Sequence, residues 1–365
     1  MPASPLLTVA VAMYQSEDTI TRALESIYSQ DFDDYEVLIV NDASSDNSLQ
    51  VARSVTPPGP TESGKQAVSV RFIDHPHNQG LGPARNTAAA EARGKYVVFV
   101  DSDDELLPGA LSAIAAVAAE SRADLLLLGT LENKRGRDKP LHSPDMLTRV
   151  ASSPEGWRLG EHPELFFWPP STWSKAFRRE FIIDEDIVFP AGYHQDLPSS
   201  TEALLRAGSI GAVDHLCYRY IRGEMGSSAT RSKGEKTLVR IAQIRRIRER
   251  NLIPALPEST RQHLVAMVAV HLVWGNRAAY RTIPDHLHEE FFHDSSAELT
   301  SWFAFGTPDS AVSSEPLMPD RERELFTIAL LSDNFRLWQQ AIATHQRKLR
   351  WQRRLDLTRY SIFKK

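Results

Sequence analysis

Three carboxylates crowd into one turn, directly after an apolar run that has the character of a buried strand. Asp101, Asp103 and Asp104 follow residues 96–100, a run typical of strands covered on both faces. In parallel sheets, ligands gather beyond the carboxyl ends of the strands. Carboxylates this close repel one another unless a cation relieves them, and Mg²⁺ or Mn²⁺ binds carboxylate and phosphate oxygens. The turn therefore predicts a metal site for a diphosphate, with an acidic cap on the next helix as the alternative.

Two further polar turns follow two other apolar runs. In residues 41–46, Asp42 could accept hydrogen bonds from a base or a ribose, although helix capping would also explain this turn. Residues 78–86 contain two glycines, but Arg85 stands where a dinucleotide-binding fingerprint needs its third glycine, which argues against that site. The segment instead favours a loop that opens a helix, with Arg85 and the helix N-terminus facing a pyrophosphate. Three such turns together indicate a nucleotide-sugar site.

These turns need a sheet to position them, and the first 130 residues alternate apolar runs with helical patterns. One helical pattern has apolar residues at i, i+3, i+4 and i+7 from Ile20 to Ile27, with Ser16 as its N-cap. Strands that alternate with helices predict βαβ units. We therefore expect an α/β fold with a mostly parallel central sheet.

The pattern changes twice further along the chain. From residue 132 to about residue 164 the chain is polar and contains proline and glycine, and from there to about residue 231 it is irregular and rich in aromatic residues and arginine. Helical periodicity then occupies three segments, residues 238–249, 260–280 and 321–346. The sequence predicts a first domain over residues 1–233, with a nucleotide half over 1–130 and an acceptor half over 131–233, and a helical C-terminal region over residues 234–365.

The composition limits the environment of the protein. With 365 residues and 42% hydrophobic positions, the chain can bury a core, and its single cysteine excludes a disulfide framework. We expect neither a secretory leader nor a membrane span, and a cytoplasmic location. The net charge is −5, yet residues 347–365 hold eight basic residues against one acid. This basic tail suits contact with an anionic membrane surface or polymer; a solvated helix, packed on its own domain or mediating oligomers, is the alternative.

The turns, in this order, resemble those of the family 2 glycosyltransferases of GT-A fold. Residues 9–15 resemble that family's first strand and P-x-Y-N turn, although Ala12 replaces the proline and Gln15 the asparagine. The remaining motifs are similar to D-G-S-x-D at residues 41–46, N-x-G-x-x-x-A-R-N at residues 78–86 and the metal motif D-x-D-D at residues 101–104. The resemblance is strong over about residues 5–130 and weaker afterwards.

A later stretch narrows the resemblance. Residues 192–198 are similar to the H-E-D motif of enzymes that glycosylate teichoic-acid-type wall polymers, and of glycosyltransferase domains attached to glycerophosphotransferases. Gln195 stands where that group has glutamate. The resemblance implies that Asp196 deprotonates the acceptor hydroxyl. The alternative is that Asp196 only begins a helix, because an apolar helical pattern follows it.

The resemblance also implies ligand contacts for individual residues. The implied contacts are the base pocket for Ala12, Tyr14 and Asp42, the ribose and diphosphate for Asn78 and Arg85, ribose or metal for Asp101, and the metal for Asp103. Downstream, a basic and hydroxyl-rich segment includes Arg222, Ser227 and Ser228. This segment would bind phosphate on the donor or on a polyanionic acceptor, unless it is a solvated arginine-rich loop.

Together these features predict an inverting glycosyltransferase that depends on Mn²⁺ or Mg²⁺. It would move a hexosyl or N-acetylhexosaminyl group from a nucleotide-diphosphate sugar, with a UDP-sugar preferred. The acceptor would be an anionic, polymeric or lipid-linked bacterial cell-envelope glycan, teichoic-acid-like or capsular, with peripheral contact at the inner face of the membrane. We expect no nucleic-acid partner, and a homo-oligomer stays open. The alternative is a non-catalytic module that binds such a polymer, with Ala12 and Gln15 marking a degenerate donor site.

Overall fold

The computed structural model describes residues 4–57, 68–222, 238–250, 252–279, 282–306, 328–330 and 332–342. The chain divides into two compact units, Met1–Arg231 and Ser232–Lys365. Ser227, Ser228 and the basic tail lie outside the described residues. The division of the first domain into a nucleotide half and an acceptor half stays a prediction.

One sheet organises the described part of the first unit. Its strands are β1 Leu7–Met13, β2 Tyr35–Asn41, β3 Ser69–Asp74, β4 Tyr96–Asp101, β5 Glu105–Leu106, β6 Leu125–Lys134, β7 Arg137–Pro140, β8 Lys175–Arg178 and β9 Ile210–Arg222. Across the sheet they follow the order β3-β2-β1-β4-β8-β6-β9-β5, and β7 pairs with β6.

The side of the sheet formed by β3, β2, β1 and β4 is parallel throughout. All seven residues of β2 are buried, and the side chains of β1 and β4 are almost as fully covered. Burial on both faces explains why these segments read as unbroken apolar runs. Beyond β4 the sheet is mixed, because β8 is antiparallel to both β4 and β6, whereas β9 is parallel to β6. The predicted α/β class is confirmed, and the polar turns follow the parallel strands.

Seven α-helices accompany these strands in the described part of the first unit. Their bounds are α1 Ile20–Tyr28, α2 Ser48–Ser54, α3 Leu81–Glu91, α4 Ala110–Glu120, α5 Pro144–Ala151, α6 Arg179–Asp184 and α7 Asp196–Arg206. Short 3-10 turns occur at Pro163–Phe167 and Thr172–Ser174. The predicted apolar face of α1 is buried. The predicted cap at Ser16 is wrong: a turn precedes α1, and the Ser16 hydroxyl donates to the Tyr14 carbonyl oxygen instead.

The second unit is helical where it is described, as predicted. It contains α8 Val239–Glu249, α9 Glu258–Ala279 and α10 His288–Phe303, with 3-10 turns at Ile253–Ala255 and Asp285–Leu287. Glu298 of α10 has a side chain only 1% exposed and accepts hydrogen bonds from Arg245 and Arg248 of α8. This buried carboxylate therefore joins α8 to α10. Among the described helices, none combines the length and the apolar character needed to cross a membrane.

A buried carboxylate connects β1, β2 and β3 near the ends of the strands that lie opposite the polar turns. Glu36 of β2 is 2% exposed and accepts hydrogen bonds from Thr8 Oγ1 at 2.8 Å, Arg71 Nε at 3.0 Å and the Arg93 backbone N–H at 2.8 Å. Burial alone would raise the pKa of Glu36, but these hydrogen bonds and the Arg71 charge outweigh it. The pKa of this carboxyl therefore lies below its ordinary value.

We expect Glu36→Gln to lower the free energy of unfolding by about 3 kcal/mol at pH 7, because it leaves Arg71 without its buried carboxylate. Since the folded-state pKa is lowered, the stabilisation is present above the unfolded pKa of about 4.3 and is lost as the pH falls through the folded value. Urea unfolding at pH 7 and at acidic pH measures the difference between wild type and variant, which should shrink in acid.

Glu91→Gln is the matched control, because Glu91 pairs with the same Arg71 at 3.8 Å but is 57% exposed. Its expected effect is about 0.5 kcal/mol or less. Equal losses for the two variants, or a difference that does not change with pH, would contradict this account of Glu36.

Candidate active site

The polar turns converge because their strands are in register. Ala12 of β1 pairs with Val40 of β2 on one side and with Asp101 of β4 on the other. The Asp42 backbone N–H donates to the Met13 carbonyl oxygen at 2.9 Å, so the turns after β1 and β2 lie side by side. The Tyr14 side chain at this edge is 43% exposed. The Tyr14 ring, the acidic turn with Asp42 and the carboxylate cluster after β4 therefore all lie at the carboxyl ends of these parallel strands.

The first two turns hold each other in an unusual backbone conformation. Gln15 and Ala43 have φ angles of 48° and 58°, in the left-handed region that non-glycine residues rarely adopt. The Gln15 backbone N–H donates to Ser44 Oγ, and its side-chain amide donates to Ser45 Oγ, both at 3.1 Å. Such strain persists where the surrounding contacts over-determine it, and it is enriched at functional sites. Gln15, a departure from the family motif, is therefore built into the turn.

Asp42 holds the loop that follows β3. Its carboxylate is buried and accepts hydrogen bonds from the backbone N–H groups of Gln79, at 3.0 Å, and Gly80, at 2.7 Å. It also lies 2.7 Å from Nδ1 of His75. The φ angle of Gly80 is 97°, so glycine suits the bend at which this loop enters α3. The Asp42 carboxylate therefore fixes the entry into α3.

Arg85 of α3 lies between two carboxylates from distant parts of the chain. Its side chain is 1% exposed, and it donates through Nη2 to Asp101 Oδ1 at 2.6 Å and through Nη1 to Asp196 Oδ1. Nη1 also lies 3.2 Å from Thr172 Oγ1, to which it donates. Burial alone would lower the pKa of Arg85, but the charges of Asp101 and Asp196 keep it above its ordinary value. The guanidinium joins the cluster after β4 to the start of α7.

Asp196 receives two more hydrogen bonds at the same oxygen. Thr172 Oγ1 donates to Oδ1 at 2.6 Å, and the Gln195 side-chain amide donates to it at 2.7 Å. A buried lysine holds the loop that leads to Thr172, because Lys175 Nζ donates to the carbonyl oxygens of Pro169, at 2.7 Å, and Ser171, at 3.2 Å. Among the described residues, no hydrogen bond reaches Asp196 Oδ2, and the Asp196 side chain is 28% exposed.

The helix that carries Arg85 also holds the segment before Asp196. Asn86 makes two hydrogen bonds with the backbone of Phe189, donating to its carbonyl oxygen at 2.9 Å and accepting from its N–H at 2.8 Å. A Cβ atom at Gly82 would overlap the backbone of Pro190, so only glycine permits this approach. The glycine and the Arg-Asn pair of residues 78–86 therefore position the Asp196 segment against α3.

The carboxylate cluster after β4 has the donor set of a divalent-cation site. Oxygen atoms of Asp101, Asp103 and Asp104 all lie within 4.8 Å of one another. Hard cations such as Mg²⁺ and Mn²⁺ prefer such oxygens. Burial and the nearby Asp196 charge raise the pKa of Asp101, although Arg85 opposes this. The residues present fit a divalent cation, which Asp101 and Asp103 would hold.

Asp104 differs from its two neighbours because its side chain is enclosed. It is 0% exposed, accepts the Tyr218 hydroxyl at Oδ2 at 2.7 Å and accepts the Ile221 backbone N–H at Oδ1 at 2.8 Å. Burial, together with the charges of Asp103 and Asp101, raises its pKa well above the ordinary value. The Asp101 backbone N–H in turn donates to the Tyr218 hydroxyl at 3.1 Å. Asp104 therefore fastens the cluster to β9.

The predicted site residues divide into three groups. The first group lies in the turns that follow β1, β2 and β4, or takes part in the hydrogen bonds around Arg85. It consists of Ala12, Tyr14, Asp42, Arg85, Asp101, Asp103 and Asp196. Asn78 lies exposed in the loop that Asp42 holds. Arg222 at the end of β9 donates to Glu132 at 2.7 Å, whereas Ser227 and Ser228 lie outside the described residues. The hydrogen bonds of Arg85 described above all go to protein groups, so its contact with a diphosphate stays a prediction, as do the other ligand contacts.

Four residues that support this site received no role from the sequence: His75, Thr172, Lys175 and Tyr218. Lys175 and Tyr218 do lie in stretches, residues 173–175 and 218–230, that resemble the teichoic-acid-type group. His75 directly follows β3, and a histidine in a loop gave no signal. Thr172 and Tyr218 lie far from Asp196 and Asp104 along the chain, so only the fold brings each hydroxyl to its carboxylate. Lys175 is 0% exposed, and a buried lysine cannot be told from a solvated one in a single sequence.

The fold is that of the GT-A glycosyltransferases. The crystal structure of Staphylococcus aureus TarS 1-349 in complex with UDP-GlcNAc matches the chain with a TM-score of 0.67 and 21% sequence identity, covering 94% of this chain and 92% of that chain. A likeness at this identity shows the shared architecture, and it confirms the predicted fold class. The sheet and the turns that present the carboxylates therefore belong to an architecture that this chain shares with TarS 1-349.

Residues 8–183 match the family model described as Glycosyl transferase family 2, so the chain contains a family 2 glycosyltransferase domain, as predicted. It is 29% identical over 237 residues to the uncharacterized glycosyltransferase YibD of Escherichia coli (strain K12), covering 64% of this chain and 66% of that protein. It is 31% identical over 230 residues to the poly(ribitol-phosphate) beta-N-acetylglucosaminyltransferase TarS of Staphylococcus aureus (strain Mu50 / ATCC 700699). That match covers 61% of this chain and 37% of TarS. The chain thus spans less than two thirds of the length of these relatives.

We expect Arg85→Met to lower the free energy of unfolding by about 3–5 kcal/mol, because it leaves Asp101 and Asp196 without their shared cation. Adding Asp196→Asn should cost less than the sum of the two single changes, since it removes one of the repelling charges. Urea unfolding of the two single variants and the double variant measures this coupling.

Arg53→Met is the control, because Arg53 pairs with Asp74 at 3.4 Å but is 53% exposed. Its expected effect is below about 1 kcal/mol. A loss for Arg85→Met as small as that of the control, or strict additivity in the double variant, would show that the three charges do not depend on one another.

Proposed function

We propose that this chain is an inverting glycosyltransferase that moves a sugar from a UDP-sugar to a hydroxyl group of an anionic cell-envelope polymer. One observation carries the proposal: the buried guanidinium of Arg85 contacts two carboxylates. One is Asp101, in the D-x-D-D motif of residues 101–104, and the other is Asp196, in the segment that resembles the H-E-D motif. A single displacement needs a charge-stabilising group on the donor side and one base on the acceptor side. Because Arg85 contacts both carboxylates, it would hold the metal ligand Asp101 on the donor side close to the base Asp196 on the acceptor side.

Asp196 would be the base. The three donors at its Oδ1 fix the plane of the carboxylate, and Oδ2 would accept the proton. The acceptor oxygen would bond to the anomeric carbon while the bond from that carbon to the diphosphate oxygen breaks. The electron pair would leave with the nucleoside diphosphate, and the acceptor proton would go to Asp196. Attack on the face opposite the leaving group inverts the anomeric configuration.

The donor side would be formed by the turns after β1, β2 and β4. Asp101 and Asp103 would hold Mg²⁺ or Mn²⁺, whose charge would stabilise the leaving diphosphate. The exposed ring of Tyr14 would pack on the base, and Asp42 would accept a hydrogen bond from a base N–H. These contacts would place the anomeric carbon near the start of α7, where Asp196 lies.

The relatives support the choice of donor and acceptor classes. TarS is named for poly(ribitol-phosphate), and its crystal structure was determined with UDP-GlcNAc. The segment with Arg222, Ser227 and Ser228, and the basic tail at residues 347–365, would contact phosphates of such a polymer or the anionic inner face of the membrane. A cytoplasmic location with peripheral membrane contact, and a homo-oligomer, stay predictions.

The test measures UDP release from a panel of UDP-sugars with Mn²⁺ or Mg²⁺ and poly(ribitol-phosphate) as acceptor. We expect Asp196→Asn to lower kcat by about 10²–10⁴-fold while UDP affinity changes little, because it removes the base and leaves the donor side intact. Asp103→Asn should instead abolish the metal-dependent affinity for UDP.

Asp145→Asn is the control, because Asp145 is 82% exposed on α5, and wild-type turnover is expected. Wild-type turnover in both Asp103→Asn and Asp196→Asn would refute the site. A wild-type chain that binds the polymer but neither binds nor cleaves any UDP-sugar would instead be the polymer-binding module.

Thr172→Val should lower kcat by about tenfold and change the KM for the donor little, because the short charge-assisted hydrogen bond it removes orients Asp196. The Thr172 hydroxyl also accepts from Arg85, at the longer distance of 3.2 Å, but Arg85 keeps its own hydrogen bond to Asp101 in the variant. Thr172→Ser keeps the hydroxyl and should restore kcat. Steady-state kinetics with saturating donor measures both variants.

Thr130→Val is the matched control: Thr130 is also 0% exposed, and its hydroxyl has no hydrogen-bond partner among the described residues. It should retain wild-type kcat. If Thr172→Ser is as slow as Thr172→Val, or if the control is equally slow, the hydroxyl does not orient the base.

A further inference from the structure

His75 occupies a junction between the acidic turn after β2 and the helix that carries Arg85. Nδ1 of its ring lies 2.7 Å from Asp42 Oδ1, and Nε2 lies 2.9 Å from Thr87 Oγ1. The side chains of His75 and Asp42 are 7% and 3% exposed. Its backbone N–H donates to the Asn41 carbonyl oxygen at 2.9 Å, which fixes the position of the ring relative to β2.

The Asp42 carboxylate determines where the hydrogens lie in the contacts that run from Thr87 through His75 to Asp42. An ionised carboxylate only accepts, so Nδ1 of His75 carries a hydrogen and donates to Asp42. In the neutral imidazole, Nε2 then accepts from the Thr87 hydroxyl. The direction of donation therefore runs from Thr87 of α3 through His75 to Asp42.

The remaining capacity of Asp42 is small. A carboxylate has about four acceptor positions, and Asp42 uses them for His75 and the backbone N–H groups of Gln79 and Gly80. Its three donors make four contacts, because the Gln79 N–H is shared between the two oxygens, at 3.0 and 3.2 Å. The shared position on Oδ2 is the last that a further donor could take. The direction of that position depends on the orientation of the carboxylate, which His75 holds from the opposite side of the hydrogen-bond network.

We propose that His75 is a positioning residue for the nucleotide, which aims the last acceptor position of Asp42 at an N–H group of the base. The inference rests on the proposed function, since it takes a UDP-sugar as the donor. It adds a reason for base selectivity: uracil carries a hydrogen on N3, whereas cytosine has a lone pair there. A carboxylate held in this orientation attracts the first and repels the second, so Asp42 distinguishes UDP from CDP only while His75 and Thr87 hold it.

The experiment compares UDP and CDP affinity by calorimetry in the presence of Mn²⁺, using the full chain. We expect wild type to prefer UDP. His75→Leu should weaken UDP binding by about tenfold and CDP binding by less than about twofold, because it removes one hydrogen bond to a charged group. Thr87→Val should lower the preference for UDP in the same direction, and Thr87→Ser, which keeps the hydroxyl, should restore it.

His142→Leu is the matched control, because His142 is also buried in the first unit and its ring contacts the backbone of Thr130 rather than Asp42. It should keep the wild-type preference. A purely structural role for His75 predicts equal losses for UDP and CDP, and that result would overturn the inference, as would unchanged UDP affinity in His75→Leu.

Two outcomes separate this inference from the proposed function. A wild-type chain without UDP affinity refutes the choice of donor, and the role of His75 fails with it. A wild-type chain that prefers UDP, combined with an unchanged preference in His75→Leu and Thr87→Val, refutes the role of His75 alone. Should His75→Leu fail to fold, the Thr87 pair decides, since valine matches threonine in size and serine keeps its hydroxyl.

Discussion

The site depends on one buried ion pair network, in which Arg85 lies between Asp101 and Asp196. A guanidinium that is 1% exposed is stable only when carboxylates replace the water it has lost. The two carboxylates, in turn, would repel each other without it. Because the guanidinium is enclosed while the two carboxylates are only partly exposed, the fold must bring the end of β4, the second turn of α3 and the start of α7 to one point.

Helix α3 meets this demand through consecutive residues. In an α-helix, neighbouring side chains point about 100° apart, so adjacent residues contact different parts of the structure. Arg85 contacts the carboxylates, Asn86 holds the backbone of Phe189, and Thr87 contacts His75. Gly82 lets the helix approach Pro190 closely enough for these contacts to form. A single helical turn thus connects the acidic turn, the metal-motif cluster and the segment that presents Asp196.

The backbone at the edges of the site stores strain, which hydrogen bonds from neighbouring turns hold in place. Gln15, Ala43 and His194 have φ angles of 48°, 58° and 60°, and residues other than glycine reach this region only at a cost of about 1–2 kcal/mol each. Gln15 is held by the serines of the next turn. The family motif has asparagine at this position and glycine at that of Ala43. A departure that looks like degeneration in the sequence is therefore compatible with an ordered turn.

The sequence by itself determined the strands of the first 130 residues, the family and the residues of the polar turns, because apolar runs and short polar motifs are local features. It did not predict β7, β8 and β9, which lie in the segments whose pattern is polar or irregular. Asp101 and Asp103 could be singled out because they are neighbours along the chain. What Arg85 contacts was decided by the tertiary structure: its local motif suggested a phosphate, whereas its hydrogen bonds go to two carboxylates and to the Thr172 hydroxyl. One of these carboxylates, that of Asp196, lies beyond β8 in the chain. The same holds for His75 and Thr172, whose partners are distant in sequence. Pairings of this kind follow from the packing of strands and helices, and one sequence carries no local pattern that encodes them.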